Sequence, residues 1–390
     1  MTTAAAIAPH LADGCRVAIS DGAGSPLSLG GALSDAVPGF ENVSLLLGWS
    51  LRLPDDLELC RFGDVRALMG GYANRRLITD GQMRYVPARV SVMPALLAGP
   101  LRVDVLLAGV RRTRRGFVFA TESSWLDAIV RCGARVLAQV NHGLPDASAC
   151  DPIPDEQVVV IDEVDRPPIE QPISDIDAAT SSIGRRVAAL IPEGATIQFP
   201  PGRLGRAVLD ALDVPVRVSS GVLTDPVVDL AERGLLLGTP RTAYVVGTQR
   251  LYQWVDGRSV VAPISETHDA FALARERFFA VSTTLELDEY GQLNVQGLRH
   301  DVIAGVGGQP DFALAGAMSV EGLSIVATPT HDHHGRSILV GALSDPASTL
   351  RSDVDLVVTQ HGCLDLRGLD DNARKALLTG HWTDGDRQRA

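Results

Sequence analysis

The 390-residue chain has little positive charge to spare: Lys and Arg number 35 against 47 Asp and Glu, a formal net charge of −12. A surface of that sign argues against broad binding to nucleic acid or an anionic membrane, because phosphate recognition rests on clustered cations. Cysteine is scarce as well. Its five positions, Cys15, Cys60, Cys132, Cys150 and Cys363, are scattered, odd in number and never spaced as C-x-x-C. That spacing argues against a disulfide framework or a zinc–thiolate site and leaves buried thiols as the expected state. No apolar run reaches about 18 residues, so no membrane span is expected. The opening Met1-Thr2-Thr3-Ala4-Ala5-Ala6 lacks a basic segment followed by a long apolar one. No signal peptide is read there, and a cytoplasmic location is expected. G-x-S-x-G, H-E-x-x-H and the P-loop pattern are also missing, which sets aside the chemistries those motifs carry.

What is present is an ordinary globular composition, 45% apolar and 21% charged, at a length that suggests two or more domains. Residues 17–20 and 43–47 read as short buried strands, with a glycine turn over 21–26 and a helix over 27–36 between them. The turn lacks the full G-x-G-x-x-G and no acidic residue ends a clear second strand, so a dinucleotide site is not expected. Residues 103–110 are nearly all apolar, as in a parallel strand covered on both faces, and residues 134–141 read as another strand. Residues 150–180, rich in Asp, Glu and Pro, read as an irregular connection between two halves. A helix is predicted over 175–190 from the spacing of Ile176, Ile183, Val187 and Leu190, then a strand over 195–199, a turn over 200–205 and a helix over 206–212.

Three glycines in four positions, Gly305-Val306-Gly307-Gly308, follow an apparent strand end at 293–295 and precede small residues at 313–318 suited to starting a helix. Glycines at such a crossover aim backbone N–H groups at an anionic or polarised oxygen. An ordinary glycine turn is the alternative. Among histidines, His361 follows the apolar strand 356–358, where open α/β sheets place functional groups, and its side chain suits acid–base work near neutral pH. His268 stands beside Glu266 and Asp269 and is a second candidate. His331-Asp332-His333-His334 has the ligand types for a divalent ion if extended, but reads equally as an exposed polar turn, and no metal site is assigned. Ser219 and Ser220 have no basic partner nearby in sequence, which disfavours a serine nucleophile.

The octapeptide Gly305-Val306-Gly307-Gly308-Gln309-Pro310-Asp311-Phe312 resembles the Gly-Gly-Gln-x-Asp-Phe signature of the acetyl-CoA hydrolase/transferase family, which includes 4-hydroxybutyrate and succinyl-CoA:acetate CoA-transferases. Collinear blocks extend the resemblance over almost the whole chain, among them the turn at 22–26, the strands at 103–110 and 134–141, Gly247-Thr248-Gln249-Arg250-Leu251 and the segment 353–362. The resemblance implies an α/β fold of two CoA-transferase-like open parallel-sheet domains, expected at 1–185 and 186–390, with the site in the cleft between them. It implies coenzyme A, as acyl-CoA substrate, and a homodimer. CoA-binding roles carry over to Gln198, Gly202, Gly205, Gly305, Gly307, Gly308 and Gln309.

The departures lie where the chemistry is done. The family's catalytic glutamate, which carries CoA as a glutamyl thioester, falls on Gly221, and a second glutamate is Gln360, with His361 replacing an aromatic residue. Pro200 stands where the family has a glycine, and Arg111-Arg112-Thr113-Arg114-Arg115-Gly116 replaces its Ser-Pro-x-Asp-x-x-Gly loop, either as a solvated loop or as an altered substrate contact. A ping-pong transferase needs a nucleophile to hold CoA between half-reactions. The expectation is therefore an acyl-CoA-acting enzyme, a thioester or carbon–carbon hydrolase, using the glycine-rich oxyanion site with His361, His268, Glu266 and Gln360 as candidate catalytic groups. A transferase whose nucleophile is Glu266 or Glu286, and a non-catalytic acyl-CoA-binding relative, are the alternatives.

Overall fold

The computed structural model describes residues 2–389. The backbone parts into two compact units, Met1–Gln171 with Arg241–Thr267, and Pro172–Pro240 with His268–Ala390. The expected single boundary at 185/186 is not where they part. The helix Ala178–Ala188 packs on the helix Arg203–Ala211 of the second unit. The segment 241–267 is hydrogen-bonded into the first, with Val245 N–H donating to Thr121 O at 2.7 Å and Ala149 N–H to Val261 O at 2.7 Å.

In the first unit the strands are β1 Arg16–Ile19, β2 Ser44–Leu47, β3 Asp64–Ala67, β4 Arg84–Tyr85, β5 Val105–Thr113, β6 Gly116–Val118, β7 Arg135–Asn141 and β8 Val158–Val164. Their order is β4-β3-β2-β1-β5-β7-β8, parallel throughout, with β6 turned back antiparallel on β5. Val17 pairs with Leu45 on one side and Val105 on the other, so β1 sits where the order reverses. The aliphatic runs of β5 and β7 fill the buried centre, as continuous apolar strands do when both faces are covered. Two sequence expectations fail here. The supposed irregular connection contains β8, paired with β7 from Val136↔Val158 onward. The arginine loop is a hairpin, since β5 runs on to Thr113 and pairs with Gly116.

The second unit carries β9 Thr196–Gln198, β10 Arg217–Leu223, β11 Phe278–Ser282, β12 Leu323–Ala327, β13 Leu356–Val358 and β14 Cys363–Asp365. Within that unit the order is β10-β9-β11-β12-β13-β14, parallel except for the last pair. Here the order reverses between β9 and β11, with Gln198 beside Ala280. A small sheet sets Glu286–Asp288 between Leu293–Asn294 and Leu339–Val340. A hairpin, Gly297–Leu298 with Asp301–Val302, intervenes before the glycine cluster. The helix after it begins at Gln309, earlier than the small residues alone suggested. Cys15 and Cys150 are buried as expected, but Cys60 and Cys363 are exposed. Among the described residues no helix is long and apolar enough to cross a membrane.

Candidate active site

The carboxyl ends of parallel strands, at the point where strand order reverses, form the natural crevice of an open α/β sheet. In the second unit that edge gathers most of the residues singled out in the sequence. β9 ends at Gln198, which is 7% exposed and whose Oε1 has no hydrogen-bond partner among the described residues. β11 ends at Ser282, and the next carbonyl, Thr283 O, accepts from Gln309 Nε2 at 3.3 Å. Gln309 Oε1 is also buried without a partner. Two amide oxygens are thus left unsatisfied at the switch point, an arrangement that costs stability unless a donor fills it.

Gly308 is the N-cap of the helix Gln309–Met318, which places the glycine turn against that helix's first-turn amides. Its own need for glycine is steric. A Cβ at 308 would lie 2.4 Å from His268 Nε2, and one at Gly221 on β10 would meet the same atom at 3.4 Å and Phe312 Cε2 at 3.4 Å. The imidazole therefore lies over both glycines, with its centroid 4.6 Å from the Phe312 ring. Phe312 belongs to the apolar cluster of Ala270, Leu273, Phe278, Ala280 and Ala315, so the signature phenylalanine fixes the floor under the histidine. His268 is 3% exposed, and burial pushes its pKa down to about 3. It is a neutral ring at physiological pH, which removes the near-neutral titration expected of it.

Gly202 caps the helix Arg203–Ala211 with φ +94° and open space where a Cβ would sit. Gly205 has a different reason to be glycine. A Cβ there would lie 2.0 Å from Pro200 O, so the residue lets the helix pack on the 199–200 backbone rather than face a ligand. Ser220 donates to Phe199 O at 3.2 Å and is fully buried, consistent with a structural serine.

At the end of β13 the Gln360 amide is oriented from both ends. Its Oε1 accepts from Thr330 N–H at 3.1 Å, and its Nε2 donates to Thr330 Oγ1 at 2.8 Å. The remaining Nε2 hydrogen faces His361 Nε2 at 3.0 Å. An amide nitrogen can only donate, so His361 accepts at Nε2 and carries its proton on Nδ1. The glutamine thus fixes the tautomer of its neighbour. His331 joins the same group through Thr330 Oγ1 at 3.1 Å, while Thr359 Oγ1 meets His381 Nε2 at 2.7 Å.

The histidine run is a turn. His331 bridges Ser337, and Asp332 Oδ1 accepts from His334 N–H at 2.8 Å and Arg336 N–H at 2.9 Å. Burial alone would raise the Asp332 carboxyl, but the hydrogen bonds from Arg336 and His334 overcome it and hold the pKa at about 2. That carboxylate is spent on the turn. Glu286 is committed too, its Oε2 accepting from Asn294 Nδ2, Ser344 N–H and Ser344 Oγ at 2.9–3.0 Å. Glu266 lies exposed in the first unit, in the short helix Ile264–Thr267. Of the arginines, Arg111 donates to His142 O and Leu144 O, Arg115 to Ser148 O and Cys150 O, and Arg112 stacks 4.8 Å from the Phe117 centroid.

The first unit's switch point was not legible in the sequence. It holds two buried carboxyl groups, Asp21 and Glu122, with Trp49, Trp125 and Tyr244 around them. The only sequence signal there is the Gly22-x-Gly24 spacing, which marks the turn but not what lies beneath it.

The family model described as acetyl-CoA hydrolase/transferase C-terminal domain matches residues 247–383, the stretch that carries the glycine turn, His268 and Gln360. The 4-hydroxybutyrate coenzyme A transferase of Clostridium kluyveri is 26% identical over 94% of this chain and 91% of its own. Residues 247–383 thus match the C-terminal domain of the acetyl-CoA hydrolase/transferase family, and the likeness to a CoA-transferase runs on through almost the whole chain. The butyryl-CoA:acetate CoA-transferase of Anaerostipes caccae is 24% identical over 88% of this chain and 84% of its own. The crystal structure of RipA from Yersinia pestis superposes with a TM-score of 0.85 at 23% identity, covering 100% of this chain and 97% of that one, a likeness of fold. Where the resemblance calls for a glutamate this chain has the strand glycine Gly221, with the buried His268 imidazole beside it.

Proposed function

We propose that the protein acts on acyl-CoA thioesters and does so by hydrolysis, without a glutamyl-CoA intermediate. Relatives named as CoA-transferases and the family's own description bring coenzyme A to this chain as the thioester substrate. The residues suited to hold it are Gln198 and Gln309, whose amide oxygens lack partners among the described residues, and Gly202 and Gly307, which hold positive φ of 94° and 64°, with Gly305 and Gly308 on either side of Gly307. The observation that carries the reading is Gly221. The strand position that faces His268 and Phe312 bears no side chain, and Glu286 is tied up elsewhere. With no enzyme carboxylate to attack the carbonyl carbon, water is the attacking group. Its oxygen bonds to that carbon, the thiolate of CoA leaves, and the proton passes to a base. We assign the base to His361, whose one lone pair, on Nε2, accepts from Gln360 in this structure and takes the water's proton once that hydrogen bond is exchanged for one from the water. The helix that starts at Gln309 supplies amide dipoles for the developing oxyanion.

A cytoplasmic homodimer is part of the same reading, and rests on the family resemblance. The test is CoA release from acetyl-, propionyl-, butyryl- and succinyl-CoA, with and without added carboxylate acceptors. Hydrolysis predicts release at the same rate without acceptor, lowered roughly 100-fold or more by His361→Ala. Release that requires an acceptor contradicts it and favours a transferase with a displaced nucleophile. Binding without turnover of any ester leaves the non-catalytic reading.

A further inference from the structure

We propose that His381 and Trp382, neighbours on the C-terminal helix Asp371–Arg389, are positioning residues for the Gln360–His361 pair and act through Thr359 and Thr330. This role rests on the reading of His361 as the base. Gln360 and His361 lie in the connection 359–362 between β13 and β14, whose adjoining ends pair as Val358↔Cys363. So short a connection has few contacts of its own to fix a side chain, and the aim of the base comes from what packs against it.

Two threonines hold the pair, and the helix holds both threonines. Thr359 is fully buried. Its N–H donates to Gly362 O at 2.9 Å, which closes the turn, and its Oγ1 accepts from His361 N–H at 3.1 Å. The same oxygen lies 2.7 Å from His381 Nε2, a hydrogen bond that keeps the hydroxyl in one rotamer whichever partner carries the proton. The His381 ring also covers the far end of the turn, since a Cβ on Gly362 would lie 3.3 Å from its Cε1. The His361 and His381 rings stand edge to face, with centroids 6.4 Å apart.

Thr330 governs the amide. A backbone N–H can only donate, so the Thr330 N–H selects Gln360 Oε1, and Nε2 is left to face Thr330 Oγ1 and His361. A reversed amide would present an acceptor to His361. It would draw the ring proton onto Nε2 and remove the lone pair that takes the water's proton. Thr330 is itself fixed at its carbonyl, which accepts from Ile338 N–H and from Trp382 Nε1, both at 3.0 Å. Trp382 is buried among Val326, Ile338, Val357, Leu364 and Leu378, so packing of the whole ring sets the direction of its one donor. The apolar cluster fixes the indole, the indole fixes the Thr330 carbonyl, and Thr330 fixes the amide.

The test uses the full chain as wild type, Trp382→Phe, His381→Leu and His381→Gln, each also combined with His361→Ala. Trp382→Phe removes the indole N–H and keeps a ring in the core. His381→Gln puts an amide near the place of the imidazole nitrogen. For CoA release from acetyl-, propionyl-, butyryl- and succinyl-CoA, kcat is expected to fall roughly 10-fold in Trp382→Phe and His381→Leu. KM should change less than about twofold, and His381→Gln should recover most of the loss. With His361→Ala in place both losses should vanish, because no base is left to aim. Losses that persist in full beside His361→Ala would overturn the positioning role, since they would report the fold and not the base. Nitrogen-15 shifts of the His361 ring decide independently of turnover. The wild type should show one tautomer at neutral pH, protonated on Nδ1, and Trp382→Phe and His381→Leu a mixture. A ring unchanged in both variants overturns the role. If His381→Leu does not fold, Trp382→Phe decides by the same readouts. If His361→Ala releases CoA as fast as the wild type, the base assignment fails, while a tautomer mixture in the variants still upholds the positioning of the ring.

Discussion

Each unit has one point where the order of its parallel strands reverses, and the two points are furnished in opposite ways. In the first unit, the end of β1 is filled by the chain's own acids: Asp21 satisfies three donors and Glu122 fills the glycine turn, with two tryptophans and a tyrosine around them. In the second, the edge is made of glycine backbone and a neutral imidazole, with two amide oxygens left unpaired and no acid among Gly221, Gly308, His268 and Phe312. The same topological feature serves as a sealed brace in one unit and as an open, donor-hungry surface in the other. Fold alone does not assign function to a crevice; the side chains that occupy it do.

The sharpest way to break this contrast is to remove the brace. Asp21→Ala would strand three buried donors and should cost roughly 3–5 kcal/mol, seen as a lowered unfolding midpoint in denaturant. A loss under about 1 kcal/mol would mean the acid cluster braces nothing. The second unit should be sensitive to volume instead. Gly308→Ala forces a methyl into the imidazole and should cost about 1–3 kcal/mol together with CoA release, whereas Gly221→Ala meets only ordinary contacts and should cost about 1 kcal/mol or less. Equal effects of the two substitutions would show that His268 is not wedged over Gly308.

Acid probes the buried ring. Unfolded, His268 would take a proton near 6.5, but folded only near 3, so its contribution to stability is present above 6.5 and is lost as pH falls towards 3. The expected slope is about 1.4 kcal/mol per pH unit in that window, absent in His268→Phe. An imidazole signal that titrates near neutrality would contradict the burial argument. The smallest effect is expected at the hairpin before the glycine turn, where Arg299 and His300 both hold positive φ, 54° and 75°. Replacing the pair with Asn-Gly, which adopts that turn readily, should stabilise by about 0.5–1 kcal/mol by thermal unfolding.

The sequence was most informative where one physical signal dominated. The aliphatic run of β5 from Val105 to Val110 announced a covered parallel sheet because nothing polar interrupts it. β8, Val158–Val164, did not announce itself, because prolines and acids flank it and its own Asp162 and Glu163 break the pattern. The glycine turn and Gln360 were visible through the family resemblance, but their partners were not. His268 meets Gly308 and Gly221 only through the fold. Asp21 reaches Trp125 and Tyr244 across 104 and 223 positions. No local spacing reports such contacts, and burial is what makes a histidine suited to catalysis a neutral wedge instead.

The central claim, that no enzyme glutamate carries CoA, is tested most directly by intact-protein mass spectrometry after incubation with acyl-CoA and then borohydride. Reduction of a glutamyl thioester to an alcohol lowers the mass by about 14 Da. The wild type should show no change while free CoA is released, and Gly221→Glu should show one, since a Cβ at 221 meets only ordinary contacts. A 14 Da loss (about) in the wild type would contradict it, placing the nucleophile on another glutamate of this chain.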